Sequence, residues 1–254
     1  MIVELVASTV VTGWGHMRDA GWVDRQDEVD GDTWDAFENN VDADYLAEFA
    51  GRLCYQSWSR PNPATTTNAG YLVNILWSEH FSVLEHSSAS FYVAEVSRSL
   101  LAELTRHRHL SFSVLSQRYV DESNPLFITP PAIAQHAKVH QATASALATD
   151  CSTLAAQDRV TDVVTIAYKT IYEDLIAAGL DRKAARGAAR SVLPQMTETK
   201  FIVTGNLRAW RDVIKKRIAP AAEVEIRQLA TELLRQLREL APNTFQDSGH
   251  WEIG

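Results

Sequence analysis

Cysteine is nearly missing from this chain: Cys54 and Cys151 are the two thiols in 254 residues. Two thiols do not make a disulfide framework, so a reducing cytoplasm is the expected compartment, and both read as small buried hydrophobes. No apolar run approaches the roughly 20 residues that a membrane span needs, so no membrane partner is expected. The opening MIVELVASTVV lacks a basic start and reads as a first strand rather than a signal peptide. Glycine-based nucleotide signatures are missing too. Neither G-x-G-x-x-G nor G-x-x-x-x-G-K-[ST] occurs, so any nucleotide has to be held by side-chain cations and helix ends. G-x-S-x-G is absent, and the nucleophile elbow with it. His107 with His109, and His80 with His86, have no cysteine or carboxylate at ligand spacing, and neighbouring arginines repel a cation; no metal is expected. Positive charge is also short. The net charge of −8 has the wrong sign for a general nucleic-acid binder, so no nucleic-acid polymer is expected as a partner.

What is there is cationic clustering on an acidic background. Acidic residues crowd 24–44 (DRQDEVDGDTWDAFENNVDAD), whereas cations gather in 98–118 and 182–238. That arrangement suits small anionic ligands better than polymer phosphate. The densest run is Arg106-His107-Arg108, followed by Ser116-Gln117-Arg118-Tyr119, with Glu103 close by. Such a cluster repels itself unless an anion sits among the charges, and guanidinium matches phosphate oxygens bidentately.

The periodicities place these residues on elements. Residues 1–11, rich in Val and Ile, read as a strand, and 12–42 as a polar loop or insertion. Tyr45, Leu46, Phe49 and Leu53 recur at helical spacing within 43–57. A Pro- and Thr-rich joint caps a helix over 66–79, and 87–95 reads as a second strand. Ser97 and Ser99 are candidate N-caps for a helix through Leu104 that carries the RHR run at its C-terminal end. NPLFITPP reads as extended, 132–178 as helical with a break near Asp150, and 181–193 as a helix stopped before Pro194. TKFIVT (199–204) is a third strand, Gly205-Asn206 opens a helix through Arg217, and an amphipathic helix covers 221–240. Strands separated by long helical blocks, without regular βαβ spacing, predict an α+β fold in one domain over 1–254.

Three polar groups stand out. Glu103 lies three and four residues before Arg106 and His107, so on a helix it can pair with either. Arg182, Arg186 and Arg190 recur every four residues beside Lys183, and Arg190 sits among Ala188, Ala189, Val192 and Leu193, where a cation calls for an anionic partner. Asn206 is a natural N-cap that shares a helix face with Arg217 about 16 Å away. Arg208 and Asp212 lie between them, and Lys215 and Lys216 read as exposed.

These residues resemble the flavin-dependent thymidylate synthases. The motif of that family is RHR, seven intervening residues, then Ser with Arg-Tyr close behind, which Arg106-His107-Arg108 and Ser116-x-Arg118-Tyr119 match. The likeness continues through FAGRLCYQSWSRPNP, NAGYL, HFSVLEHSSASFY, SRS, AARSVLP, TETK, VTGNLRAWR and VEIRQLA, over roughly 45–240 plus the first strand. It implies an α+β fold with a central, mainly antiparallel sheet flanked by long helices. It further implies a homotetramer with active sites built between subunits, located in the cytoplasm, or in a host's cytoplasm if phage-encoded. The implied reaction is reductive methylation of dUMP to dTMP, with FAD as cofactor, NADPH as hydride donor and methylenetetrahydrofolate as one-carbon donor. No cysteine nucleophile is implied, and neither cysteine lies near a motif in sequence. By resemblance Ser82, Arg106, His107, Arg108, Asn206, Arg208 and the backbone of Leu207 hold FAD, with Asp212 on the flavin side. Glu103, Arg106, Val114, Leu115, Ser116, Gln117, Arg118 and Arg190 line the dUMP site. Arg217 takes the catalytic position, where a permanent cation favours ionisation of the uracil ring. Two positions depart from the pattern. Val114 stands where Gln or Glu is usual and removes a hydrogen-bonding side chain, and Asp212 stands where His or Asn is usual. Those departures keep open flavin-dependent hydroxymethylation of dCMP or dUMP, and a catalytically weak homologue that binds FAD and nucleotide.

Overall fold

The structure is a computed structural model that describes residues 1–22, 42–60, 62–136 and 153–247. The expected break near Asp150 and the expected burial of Cys151 lie outside the described residues, as does most of the 12–42 segment. Four strands, β1 (Ile2–Ser8), β2 (Ser88–Ser97), β3 (Ser111–Val114) and β4 (Glu198–Asn206), form one antiparallel sheet in the order β1-β2-β4-β3. The helices in chain order are α1 (Trp14–Asp19), α2 (Asp42–Tyr55), α3 (Asn68–Trp77), α4 (Arg98–Leu104), α5 (Pro131–His136), α6 (Thr153–Ala177), α7 (Arg182–Ala189), α8 (Leu207–Arg217) and α9 (Val224–Leu240). This is the α+β architecture the sequence predicts.

The caps are largely those the sequence marks. Ser97, not Ser99, caps α4 by accepting from Leu100 N. Asn206 caps α8 by accepting from Ala209 N, and Asp181 caps α7 through Ala184 N. Two elements differ from expectation. Residues 14–19 of the expected loop form α1, where Met17 is buried beside Trp22 and Tyr45. β3 falls inside the motif, and its four residues SFSV are too short and too polar to announce a strand.

The chain forms two compact units. One comprises Met1–Ile2, Val93–Arg106 and Ser113–Phe201; the other comprises Val3–Tyr92, His107–Phe112 and Ile202–Gly254. In the first, Leu100, Leu104, Tyr168, Ala185, Ala189 and Phe201 are buried, and α6 packs on α7. In the second, the core holds Leu72, Phe91, Trp210, Ile214, Leu229 and Leu233, with α8 packed on α9 and α2 on α3. The Phe91 and Trp210 rings meet edge to face at 5.2 Å, and Trp210 Nε1 donates to Ala89 O. Edge strand β1 is blunted: Gln236 of α9 accepts from Leu5 N at 2.9 Å and donates to Val3 O at 2.7 Å, occupying the positions a further strand would take.

α2 buries an unexpected face. Leu53, expected inside, is exposed, while Asp44, Glu48 and Arg52 are buried. The reason is a polar network that satisfies them. Arg52 Nε donates to Glu48 at 2.6 Å and its guanidinium to Ser57 O and Thr65 O, Arg60 adds a second cation at 3.4 Å from Glu48, and Asn68 bonds Glu48 at 2.9 Å.

Candidate functional site

The RHR run follows α4 as a turn rather than as more helix, with Arg106 ending a segment of the first unit and His107 opening one of the second. α4 stops at Leu104 with Thr105 as its C-cap, and Arg106 N donates to Glu103 O at 3.3 Å in the turn that follows. Leu110 N donates to His107 O at 3.1 Å, and Leu110 is buried against the start of α8. Gly205 makes that approach possible, because a Cβ there would run into Leu110 and crowd Trp210. His107 is thereby carried onto α8. Its Nε2 accepts from Arg217 Nε at 2.9 Å, and its Nδ1 lies 3.6 Å from Asp212 Oδ2. Asp212 is paired in turn with Lys216 one turn later, at 2.7 Å. Burial, and then the Arg217 cation, hold the His107 pKa below its ordinary value against the opposing pull of Asp212.

At the other end of α8, Arg208 forms an ion pair with Glu85, and Leu207 donates its N–H to Ser87 O at 2.9 Å. Arg208, Ser82, His80, Gly51, Cys54 and Tyr55 line a cavity of about 300 Å³. Cys54 is exposed there, which corrects its expected burial: it lies on the solvent side of α2, whose other face is occupied by the network above. Distance in sequence from the motifs is thus no guide to distance in space, since Cys54 shares this cavity with Ser82 and Arg208. Arg108 is exposed and has no side-chain hydrogen bond or ion pair among the described residues.

In the first unit, β3 ends at the half-buried Val114, and Leu115 N continues the ladder to Lys200 O at 2.9 Å. Ser116 O then accepts from both Tyr119 N and Val120 N, closing a tight turn. The turn buries Gln117 and exposes Arg118 and Tyr119. Gln117 Nε2 is buried without a hydrogen-bond partner, as are Glu122 Oε1 and the hydroxyls of Thr197 and Thr199. Unsatisfied buried polar atoms mark places where water or a ligand completes the bonding. Arg118 lies along α7, where a Cβ on Gly187 would stand 3.8 Å from its Nε. Arg186 donates to Tyr119 O at 2.6 Å, and Lys183 stands 4.9 Å from the Tyr119 ring centroid, lowering the phenol's pKa.

Arg190 does not meet its expected anionic partner. It caps α7, exposed, and nothing among the described residues bonds its side chain. Its electrostatic neighbour is another cation, Arg98. Burial first, then Arg190, push the Arg98 pKa down, while Glu122 opposes them. Burial holds the Glu122 carboxyl above the ordinary range, with Arg98 pulling the other way. Arg106 and Arg118 are likewise exposed without side-chain hydrogen bonds or ion pairs among the described residues. Guanidinia left unpaired on an acidic chain are ready to take an anion.

The family model for "Thymidylate synthase complementing protein" matches residues 37–243. A "Probable flavin-dependent thymidylate synthase" of Mycobacterium phage L5 is 49% identical over 248 residues, covering 97% of this chain and 97% of the relative. The "Flavin-dependent thymidylate synthase" of Mycobacterium avium (strain 104) is 50% identical over 203 residues, covering 80% of this chain and 78% of the relative. The chain belongs to the flavin-dependent thymidylate synthase family. Within this family member, the sequence singled out the motif arginines, Gln117, Asn206 and Arg217, but missed Arg98, Glu122 and Glu85. Arg98 was hidden as a first-turn residue behind the Ser97 cap. Glu122 and Glu85 carried no spacing signal, since their partners come from distant segments.

Proposed function

We propose that this chain is a flavin-dependent thymidylate synthase that converts dUMP to dTMP, with methylenetetrahydrofolate as one-carbon donor, NADPH as reductant and FAD as cofactor. The observation that carries this reading is the identity of about half the residues over 97% of the phage relative and 78% of the Mycobacterium avium one. The donor set supports it. Ser82, His107, Arg108, Asn206, Leu207 and Arg208, with Arg106, offer hydroxyl, imidazole, amide and guanidinium groups suited to a dinucleotide's phosphates and ring edges, and Asp212 offers a carboxylate acceptor on the flavin side. Asn206 Oδ1 and the Leu207 N–H are already committed, to Ala209 N and Ser87 O, so their roles there run through Asn206 Nδ2 and the Leu207 carbonyl. Bound flavin supplies the redox chemistry.

On the nucleotide side, Arg106, Arg118 and Arg190, joined by Arg98, receive the phosphate, and Gln117 Nε2 gains the partner it lacks within the protein. Glu103, Val114, Leu115 and Ser116 shape the pocket. Arg217 stands at the pyrimidine, where its guanidinium stabilises the anion that makes C5 nucleophilic. Self-association as a homotetramer belongs to the same reading. Val160, Val163 and Ile166 form an apolar stripe on α6, 49%, 65% and 65% exposed in the single chain, which an assembly would cover.

Purified protein is expected to be yellow and to release FAD. Mass spectrometry of reactions with dUMP and with dCMP is expected to show dTMP from dUMP alone, and Arg217→Ala to abolish it. Colourless protein that takes up no FAD overturns the cofactor. A product one oxygen heavier than dTMP, or a product from dCMP alone, assigns hydroxymethylation instead.

A further inference from the structure

Resting on that reading of Arg217, we infer that Asp212 and His107 are positioning residues that together fix the plane and reach of the Arg217 guanidinium. The geometry dictates the protons. Arg217 Nε is always a donor, so His107 Nε2, at 2.9 Å, has to be the acceptor and carries no hydrogen. The ring proton of the neutral imidazole then sits on Nδ1, which faces Asp212 Oδ2 at 3.6 Å. A carboxylate accepts and cannot donate, so Asp212 favours this tautomer over the other, in which Nε2–H would confront Arg217 Nε–H. Lys216 holds the carboxylate in place from one helical turn further on, at 2.7 Å.

The order is therefore Lys216, Asp212, His107, Arg217, with each group oriented by the one before. Three of the four lie on α8, and His107 is delivered by the turn that Leu110 and Gly205 pin to the same helix. The side chains of His107 and Asp212 are 8% and 46% exposed, so the imidazole is enclosed while the carboxylate is open to water. The charged groups facing the imidazole are Arg217, Asp212 and Lys216. The two cations and burial oppose its protonation, which preserves Nε2 as an acceptor at neutral pH. A bond at Nε fixes the plane of a guanidinium, which is what a group that recognises a planar pyrimidine needs.

Long-range proton–nitrogen correlation on histidine-labelled, FAD-loaded enzyme tests the tautomer directly. His107, assigned by its loss in His107→Gln, is expected as the neutral Nδ1–H form. The Nε2–H form or an imidazolium at neutral pH overturns the proposal, and this readout needs no change at Asp212. Kinetics test the consequence. With each enzyme saturated with FAD, Asp212→Ala is expected to lower kcat about tenfold through misplacement of Arg217, with the KM for dUMP essentially unchanged. Asp212→Asn, whose amide oxygen can still face Nδ1–H, is expected to recover most of that loss. An unchanged kcat in Asp212→Ala overturns the positioning role when Arg217→Ala is inactive. An active Arg217→Ala enzyme overturns the reading of Arg217 itself.

Discussion

At Val114 strand β3 reaches its last residue, three before the buried Gln117, and the side chain there is an apolar one. If it faces the pyrimidine, Val114→Gln adds one hydrogen bond, worth about 0.5–1.5 kcal/mol, or a roughly two- to tenfold tighter dUMP complex. Calorimetric titration of FAD-loaded protein measures this. Unchanged or weaker binding would show that the position points elsewhere. The residue scale is also where the sequence was most legible. Arg106, Arg108, Arg118 and Arg190 stood out because clustered cations without carboxylates are improbable unless an anion completes them. What could not be read was who meets whom. His107 and Arg217 are 110 residues apart, and the bond between them exists because Gly205 admits Leu110, a contact with no local signal. Cys54 misled for a related reason: a small thiol is usually buried, but burial depends on which face of α2 turns inward.

That choice of face is the main lesson at the level of elements. Asp44, Glu48 and Arg52 recur every four residues on α2, a spacing that ordinarily marks a solvated ion-pair face. Here it is the buried face, because Asn68 and Asn243, Thr244 and the carbonyls of Ser57 and Thr65 complete its hydrogen bonds. Helix limits and caps, in contrast, were legible to within a few residues, since Ser97 and Asn206 act locally. Asp44 has a measurable consequence. Its carboxylate accepts from Asn243 N, Thr244 N and Thr244 Oγ1, yet burial outweighs these donors and pushes its pKa from 3.8 to about 6. A carboxyl with a raised folded pKa binds its proton more tightly in the native state. Its contribution to stability is therefore full below about pH 4 and lost as pH rises through about 6. The stability of wild type relative to Asp44→Asn is expected to fall by about 2 kcal/mol between pH 4 and pH 7, as read from denaturant midpoints. A difference that does not change with pH would mean that the three donors prevail over burial.

For the whole molecule, charge is distributed in a way that a net value conceals. The chain carries −8 overall, yet Arg106, Arg118 and Arg190 are exposed cations without side-chain partners among the described residues. The long-range field of such a molecule does not attract a phosphate polymer, whereas a single phosphate that reaches the arginines meets strong local charge. Salt separates the two effects. The Debye length is about 10 Å at 0.1 M and about 3 Å at 1 M, so added salt weakens capture of the dUMP phosphate while leaving groups in direct contact at the pyrimidine largely unscreened. The KM for dUMP is therefore expected to rise severalfold, on the order of 1 kcal/mol, between about 0.05 and 0.5 M NaCl, with kcat nearly constant. Duplex DNA is expected to show no steeply salt-dependent binding over the same range, since that slope requires many phosphates neutralised at once. A KM indifferent to salt would remove the exposed arginines from phosphate capture. A kcat that falls in step with binding would place their charge in the chemical step instead.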